Sequence, residues 1–393
     1  MNQKEKPRIV QHNEISDILL GNKHLNFFAT AVTPWNALSI DALLLFLTSQ
    51  GIEINALIVI AEHYQAGYMI DETFFTNSCS KFVFLPYDKE LNHQRFPFSP
   101  PRITPKKFYS SVFKNTPQQD QDLFYYSTFN HTIPEALIAY NLRPLERPIC
   151  ICYTEEGVGA YMGTFDKTYP TFNHIHSLGE LRSFIRYKIF GRYVFRFFHK
   201  TFNSLIFKRT LYGLKVNKGI VPYYRNVITK QFLKLPLDNV STLQEQSIII
   251  CTTAWRRNEI LDNEDLRVLN EVCTHLAQNG YHLLLKTHPR DTYFATQEKY
   301  LRCELVTNTS LSLEVLCSQQ KPLAIVSFSS TTLITSHIFW DIPVFCITDM
   351  LNRSKISSFY LDEIDSFKRT FYRHVIFISS PKDITDNLNN YKH

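Results

Sequence analysis

Residues 281–290 read YHLLLKTHPR, and they are the clearest indication of how this chain folds. Its first part, Tyr281 to Lys286, is a short apolar run with the length of a buried β-strand. The run leads directly into the polar motif Thr287-His288-Pro289-Arg290. A strand that ends in such a motif is typical of parallel α/β sheets, in which ligands bind beyond the carboxyl ends of the strands. We therefore expect an α/β domain with a ligand site at this position.

The segments around this strand repeat the alternation of strand and helix. Upstream, the apolar run Ser247 to Thr253 predicts a strand. Residues Asp262 to Asn279 predict a helix that ends at Gly280, because their apolar positions recur at helical spacing. Downstream, the pattern predicts a helix over Leu311 to Cys317, strands over Leu323 to Ser327 and Pro343 to Ile347, and a helix opened by residues 329–332 that continues through Ser336. Such a series indicates a parallel sheet.

The first half of the chain contains a second series of this kind. It has predicted strands over Leu25 to Val32, Asn55 to Ala61, Lys81 to Leu85 and Pro148 to Tyr153, and a predicted helix over Ala37 to Thr48. With 393 residues, the chain is long enough for two domains. We expect two Rossmann-like domains, residues 1–240 and 241–393, that face each other across a cleft.

The composition is that of a globular protein. It is 44% hydrophobic with 31 Phe, 21 Tyr and 3 Trp, which excludes a disordered or fibrous chain. We expect neither a secretory signal nor a membrane span, because no apolar run approaches the roughly 18 residues that a span needs. The eight Cys include no CxxC pair, and several lie in strand-like runs. We therefore expect buried, reduced thiols in a cytoplasmic protein.

The net charge of +6 is concentrated in one segment. Residues 181–237, here called the basic block, contain thirteen Lys or Arg and no Asp or Glu. Three interpretations are open: a surface for a polyanionic acceptor chain, attachment to the anionic inner face of a membrane, or the solvated side of helices such as one over Arg192 to Lys208. We expect no nucleic-acid partner, because no nucleic-acid-binding motif accompanies these charges.

The His-Pro motif has the chemistry of a proton donor. Because Pro289 restricts the backbone of His288 to extended geometry, the imidazole is more readily held in one place. A His beside a phosphate can donate a proton to the leaving group, and Lys286 or Arg290 can balance the phosphate charge. A capping His in an ordinary loop is the alternative.

Two further polar motifs follow predicted strands. In Glu155-Glu156-Gly157, one acid could act as a base towards an acceptor hydroxyl while the other orients it, and a solvated turn is the alternative. Residues 327–332, SFSSTT, lie between a strand and a helix. Hydroxyls and backbone N–H groups at a helix N-terminus favour a phosphate or carboxylate, and an ordinary Ser/Thr cap is the alternative.

Metal and dinucleotide motifs are poorly represented. The one DxD, Asp120-Gln121-Asp122, lies in a polar run rather than after a predicted strand. The sequence has no HExxH, no Cys/His cluster with zinc spacing, no GxGxxG and no Walker A loop. We expect a site without metal.

The order and spacing of the three motifs resemble those of bacterial sialyltransferases, and most closely the capsular polysialyltransferases of glycosyltransferase family 38. The resemblance implies a GT-B fold, CMP-sialic acid as donor and no metal cofactor. By the same resemblance Glu156 is the general base and His288 the general acid at the departing CMP phosphate, although Glu155 matches the acidic position equally. The expected donor contacts are Lys286, His288, Pro289, Ser329, Ser330, Thr331 and Thr332.

Together these expectations predict an inverting transferase. It would add sialic acid to a sialylated, anionic acceptor and so elongate polysialic acid for a capsule. A lipooligosaccharide sialyltransferase that adds one residue is the nearest alternative. A non-catalytic capsule-assembly protein that binds anionic polysaccharide through the basic block is a second alternative. A transferase for a UDP- or GDP-sugar is the third, because a two-domain fold alone does not select the nucleotide.

Overall fold

The structure is a computed structural model of the 393-residue chain. It describes residues 9–10, 24–31, 34–61, 75, 82–86, 122–127, 149–153, 178, 181, 204–207, 218–233 and 247–391, the last range with gaps at 254, 256, 289–290, 292, 307–311 and 319. The described residues form two compact units, one up to Tyr223 and one from Tyr224 onward. The predicted boundary at 240/241 lies outside the described residues and stays a prediction.

The first unit contains a seven-stranded sheet in the order β1-β7-β6-β5-β2-β3-β4. Every pairing in it is parallel. The elements are β1 (Ile9–Val10), β2 (His24–Ala31), α1 (Pro34–Ser49), β3 (Glu53–Ala61), β4 (Phe82–Pro86), β5 (Asp122–Ser127), β6 (Ile149–Tyr153) and β7 (Ser204–Phe207).

Helix α1 begins three residues before the predicted start at Ala37 and ends one residue after the predicted end at Thr48. Pro34 occupies the first helical position, where a missing N–H leaves no hydrogen bond unmade. Gly51 adopts a φ of 79° beyond the last turn, in the left-handed region that glycine tolerates. The helix is buried nearly all round, and even Asn36 and Asp41 are fully inaccessible.

The second unit contains a six-stranded sheet in the order β10-β9-β8-β11-β12-β13, again all parallel. Its strands are β8 (Ser247–Cys251), β9 (His282–Lys286), β10 (Glu304–Leu305), β11 (Ala324–Ser327), β12 (Val344–Cys346) and β13 (Ile376–Phe377). Its helices are α3 (Glu264–Gln278), α4 (Glu298–Leu301), α5 (Leu313–Cys317), α6 (Thr331–Trp340), α7 (Ser358–Phe371) and α8 (Pro381–Tyr391), together with most of α2 (Val221–Leu233).

Both faces of this second sheet are covered. On one face, alternate strand residues such as Ile250, Leu285 and Val326 share a core with apolar side chains of α3, α7 and α8. The residues of opposite parity, such as Ile249 and Ile325, are also fully buried but lie outside that core. Strands buried on both faces are characteristic of doubly wound α/β sheets. The predicted α/β class with two Rossmann-like parallel sheets is therefore confirmed, and the predicted cleft stays a prediction.

Most predicted elements lie within two residues of their observed bounds, but the predicted helix over Arg192 to Lys208 is wrong at its end. Ser204–Phe207 is the strand β7, paired between β1 and β6. The four residues Ser-Leu-Ile-Phe are too few to show a periodicity that separates strand from helix, so pairing with distant strands determines their structure. Strand β5 was not predicted, and its first residue is Asp122 of the DxD motif.

Candidate functional site

The carboxyl ends of the central strands of the second sheet bring two of the three sequence motifs to one edge. Strands β9, β8 and β11 are neighbours and parallel, so their carboxyl ends lie side by side. His288 follows β9, Thr252 follows β8, and Ser329 follows β11. At the usual spacing of about 4.8 Å between strands, β9 and β11 are about 10 Å apart. Groups at about that separation can approach one phosphorylated ligand from two sides.

The His288 backbone is held by Thr252 and Asp291. The His288 N–H donates to Thr252 Oγ1 at 3.0 Å, and the Asp291 N–H donates to the His288 carbonyl at 2.8 Å. Thr252 Oγ1 in turn donates to Asp291 Oδ2 at 3.0 Å. His288 is half-buried, so its position is defined while part of it stays accessible.

The second carboxylate oxygen of Asp291 fixes the chain that follows. Asp291 Oδ1 accepts the backbone N–H groups of Tyr293 at 3.1 Å and Phe294 at 3.2 Å. Both aromatic rings lie against the Arg257 guanidinium, at 4.5 and 5.2 Å from its central carbon. Arg257 also makes a two-point ion pair with Asp265, which is buried in the first turn of α3.

Lys286, the last residue of β9, is 6% exposed. Burial lowers the pKa of its ammonium group, and the nearby Cys251 and Glu314 oppose that shift. The Cys251 thiol shows the converse effect, because burial raises its pKa to about 12 although Lys286 acts against it. The Lys286 side chain therefore belongs to the interior beneath the edge, and its predicted contact with the donor stays a prediction.

Hydroxyls of the Ser/Thr motif form hydrogen bonds that hold strand β11 and helix α6 at this edge. Ser327 is fully buried, and its Oγ donates to the Cys251 carbonyl at 2.9 Å, which ties β11 to β8. Ser330 is the N-cap of α6, and its Oγ accepts the Thr332 N–H at 3.4 Å and bonds Thr332 Oγ1 at 2.9 Å. The expected Ser/Thr cap is thus present. A capped ten-residue helix still directs the positive end of its dipole to this edge.

Ser329 connects this motif to an acid of helix α7. Its hydroxyl donates to Glu363 Oε1 at 3.1 Å. Burial raises the pKa of the Glu363 carboxyl, and the bond from Ser329 offsets only part of that effect. The motif therefore has a carboxyl group behind it that holds its proton more tightly than an exposed Glu.

The amino-acid sequence matches the model of a known protein family. A family model described as alpha-2,8-polysialyltransferase (POLYST) matches residues 29–348. The chain belongs to this family. It is therefore a sialyltransferase, an enzyme of the glycosyltransferase class that uses a sugar-nucleotide donor and a glycan acceptor. No curated protein sequence matches the chain.

Solved structures show a distant likeness to the whole chain. An α/β-galactoside α-2,3-sialyltransferase from Photobacterium phosphoreum is 13% identical with a TM-score of 0.44, over 91% of this chain and 99% of its own. A sialyltransferase from Photobacterium damsela is also 13% identical with a TM-score of 0.44, over 90% and 81%. A UDP-GlcNAc 2-epimerase from Methanocaldococcus jannaschii is 11% identical with a TM-score of 0.49, over 93% and 92%.

Several predicted residues of this family member lie outside the described residues. They are Glu155 and Glu156 of the acidic motif, Pro289 and Arg290 of the His-Pro motif, and most of the basic block. Within the described part of the chain, no three His, Cys, Asp or Glu side chains form a group that could hold a metal ion. Among the same residues, no helix combines the length and the apolar character that crossing a bilayer requires.

Three residues of the edge were not predicted from sequence. Thr252 was assigned to a strand, although its place after β8 was a usable signal once the strand order was known. Asp291 follows the His-Pro motif and caps the turn after it, which is a common role for Asp in loops. Glu363 reaches Ser329 from 34 residues away in the chain, and no local pattern predicts that contact.

Proposed function

We propose that this enzyme is an inverting, metal-independent sialyltransferase that transfers sialic acid from CMP-sialic acid to a sialylated acceptor and so elongates capsular polysialic acid. The observation that carries the proposal is the meeting of His288 and the Ser/Thr motif at the carboxyl edge of the second sheet. Family membership supports transfer of sialic acid, and the motifs support the choice of donor and mechanism.

The donor half of the reaction follows from the described residues. In this proposal the CMP phosphate binds at the N-terminus of α6, where Ser329, Ser330, Thr331 and Thr332 supply hydroxyl and backbone donors. As the bond between the anomeric carbon and the phosphate oxygen breaks, negative charge develops on that oxygen. His288 donates its proton to the phosphate, and the helix dipole stabilises the same charge. These groups neutralise the leaving group without a divalent ion.

The acceptor half uses the acidic motif. Glu156, or Glu155 in its place, removes the proton from the acceptor hydroxyl as that oxygen bonds to the anomeric carbon. The attack comes from the face opposite the departing CMP, so the anomeric centre inverts. The acid-free basic block supplies positive charge for an anionic acceptor chain, or for the anionic membrane face at which such acceptors are built.

A transfer assay tests this function. We expect wild type to convert CMP-sialic acid and fluorescent sialic acid oligomers into a product ladder in EDTA, faster on longer oligomers. His288→Ala and Glu156→Gln should each lower the rate at least about 100-fold, because each removes a proton-transfer group. Thr385→Val, a buried substitution in α8 away from the edge, is the control and should retain the ladder.

Three results would contradict the proposal. An unaltered rate in both site variants would remove the assigned chemistry. A single addition to every oligomer, with no gain from acceptor length, would favour the enzyme that adds one residue. Transfer only from a UDP- or GDP-sugar would exclude the CMP donor.

A further inference from the structure

We propose that Thr252 and Asp291 are positioning residues that hold the imidazole of His288 in place for proton donation. This inference rests on the proposed role of His288. Its basis is a closed circuit of hydrogen bonds that includes both the backbone N–H and the backbone carbonyl of His288. Neither residue belongs to the sequence motifs, and both lie at the carboxyl edge.

The circuit fixes the His288 backbone from two directions. Its N–H donates to Thr252 Oγ1 at 3.0 Å, and its carbonyl accepts the Asp291 N–H at 2.8 Å. With the amide and the carbonyl both engaged, neither φ nor ψ of His288 can turn without loss of a bond. The imidazole then has only its own side-chain torsions to adjust.

The polarity of the circuit depends on a hydroxyl and a carboxylate. Thr252 Oγ1 receives the His288 N–H, so its single proton is directed to Asp291 Oδ2 at 3.0 Å. Asp291 Oδ1 accepts two backbone N–H groups. Each of these three contacts of the carboxylate with the described residues is thus with a donor. An amide in its place would present N–H to the Thr252 oxygen and leave the hydroxyl proton without an acceptor.

The circuit is anchored to rigid parts of the unit on both sides. Thr252 is 4% exposed, and its own N–H donates to the Lys286 carbonyl at 3.2 Å, which links β8 to β9. On the other side, Phe294 is 1% exposed and packs under Arg257, which is paired with the buried Asp265 of α3. A catalytic side chain supported in this way keeps its geometry without help from the ligand.

The test uses substitutions that separate the hydroxyl from the bulk of the side chain. Thr252→Val keeps the shape and removes the hydroxyl, whereas Thr252→Ser keeps the hydroxyl. Asp291→Asn keeps an acceptor for the two N–H groups and reverses the bond to Thr252. Thr385→Val and Asp383→Asn are the controls, since Thr385 is buried and hydrogen-bonded and Asp383 caps α8 through two backbone N–H groups.

We expect Thr252→Val to lower kcat about 100-fold with little change in KM, because a displacement of about 1 Å at a catalytic group has an effect of that size. Thr252→Ser should recover the rate to within about threefold of wild type. Asp291→Asn should resemble Thr252→Val, and both controls should resemble wild type. Equal kcat in Thr252→Val and wild type, or equal loss in the Val and Ser variants, would overturn the proposal.

A second readout does not require activity. In protein labelled with ¹³C at histidine Cε1, the His288 resonance, assigned with His288→Gln, should be sharp in wild type and in Thr252→Ser. It should be broadened or split in Thr252→Val. An unchanged His288 line in all variants would overturn the positioning role. If wild type shows no transferase activity but Thr252→Val still broadens the His288 line, the result counts against the proposed function alone.

Discussion

At the scale of the single residue, the Ser329–Glu363 pair is where burial and charge compete most directly. Glu363 has one described hydrogen-bond donor, the Ser329 hydroxyl at 3.1 Å. One neutral donor does not replace the water that a carboxylate loses on burial, and the pKa of the carboxyl is raised in consequence. The acid lies behind the proposed phosphate site, where a protonated carboxyl repels the donor less than a charged one.

This pair predicts a pH-dependent gain in stability. Because the folded-state pKa of Glu363 is raised, its contribution to stability is fully present below the unfolded carboxyl pKa. That contribution is lost as the pH rises through the folded-state value. Glu363→Gln cannot ionise and still accepts the Ser329 hydroxyl. We expect the variant to melt at a higher temperature than wild type at pH 8 and at nearly the same temperature at pH 4.5.

Melting curves at the two pH values check this, with Asp362→Asn, an exposed neighbour, as control. The control should show no comparable change between the two conditions. An offset for Glu363→Gln that is equal at both pH values would contradict the assignment of the effect to ionisation.

At the scale of the element, helix α3 shows how buried charge is used to fix a strand-to-helix connection. Glu264 is 1% exposed and accepts two bonds from Arg267, at 2.7 and 2.9 Å, and one from the Asn352 N–H at 2.8 Å. The bond from Arg267 is the main reason that the pKa of Glu264 is lowered. The connection just before the helix has left-handed φ values at Asp262 and Asn263.

We expect Glu264→Gln to lower the free energy of unfolding at pH 7 by about 1–3 kcal/mol, the usual effect of losing a charged hydrogen-bond partner in a buried place. Because the folded-state pKa is lowered, this contribution is present above the unfolded carboxyl pKa and is lost as the pH falls through the folded-state value. The difference from wild type should therefore shrink in acid.

Urea denaturation of wild type, Glu264→Gln and a control variant, Glu271→Gln, measures the change in the free energy of unfolding. Glu271→Gln is the matched control, since Glu271 pairs with the same Arg267 from a half-exposed position and should contribute less than about 1 kcal/mol. A loss in Glu271→Gln as large as that in Glu264→Gln would show that burial is not the cause.

Elements such as α3 and β9 were predictable because their burial imposes a pattern on the local sequence. Val268, Val272 and Leu276 recur at helical spacing on the buried face of α3, and Gly280 ends the segment with a φ of 81°. Strand β7 was not predictable, since its four residues acquire their structure from β1 and β6, which are distant in sequence. No local sequence pattern predicts the contact between Ser329 and Glu363 either, because the two residues are 34 positions apart in the chain.

At the scale of the whole molecule, the parallel order of the second sheet places loops that are distant in sequence at one edge. His288 and Ser329 are 41 positions apart in the sequence, yet they follow strands on either side of β8. The sequence predicted both motifs and their strands. It could not predict Thr252 as the residue between them, because that place depends on strand order, which motif spacing leaves open.

Calorimetric titration of CMP, UDP and GDP, in EDTA, into wild type and Ser329→Ala would measure whether this edge binds the donor nucleotide. We expect CMP to bind more tightly than the other two nucleotides. We also expect Ser329→Ala to weaken CMP binding about tenfold or more, because the Ser329 hydroxyl, which here donates to Glu363, would donate to the charged phosphate once CMP is bound. Ser358→Ala, an exposed substitution on α7, should bind CMP as wild type does. Equal binding of CMP by wild type and Ser329→Ala, or preference for UDP or GDP, would contradict a CMP-sugar site at this edge.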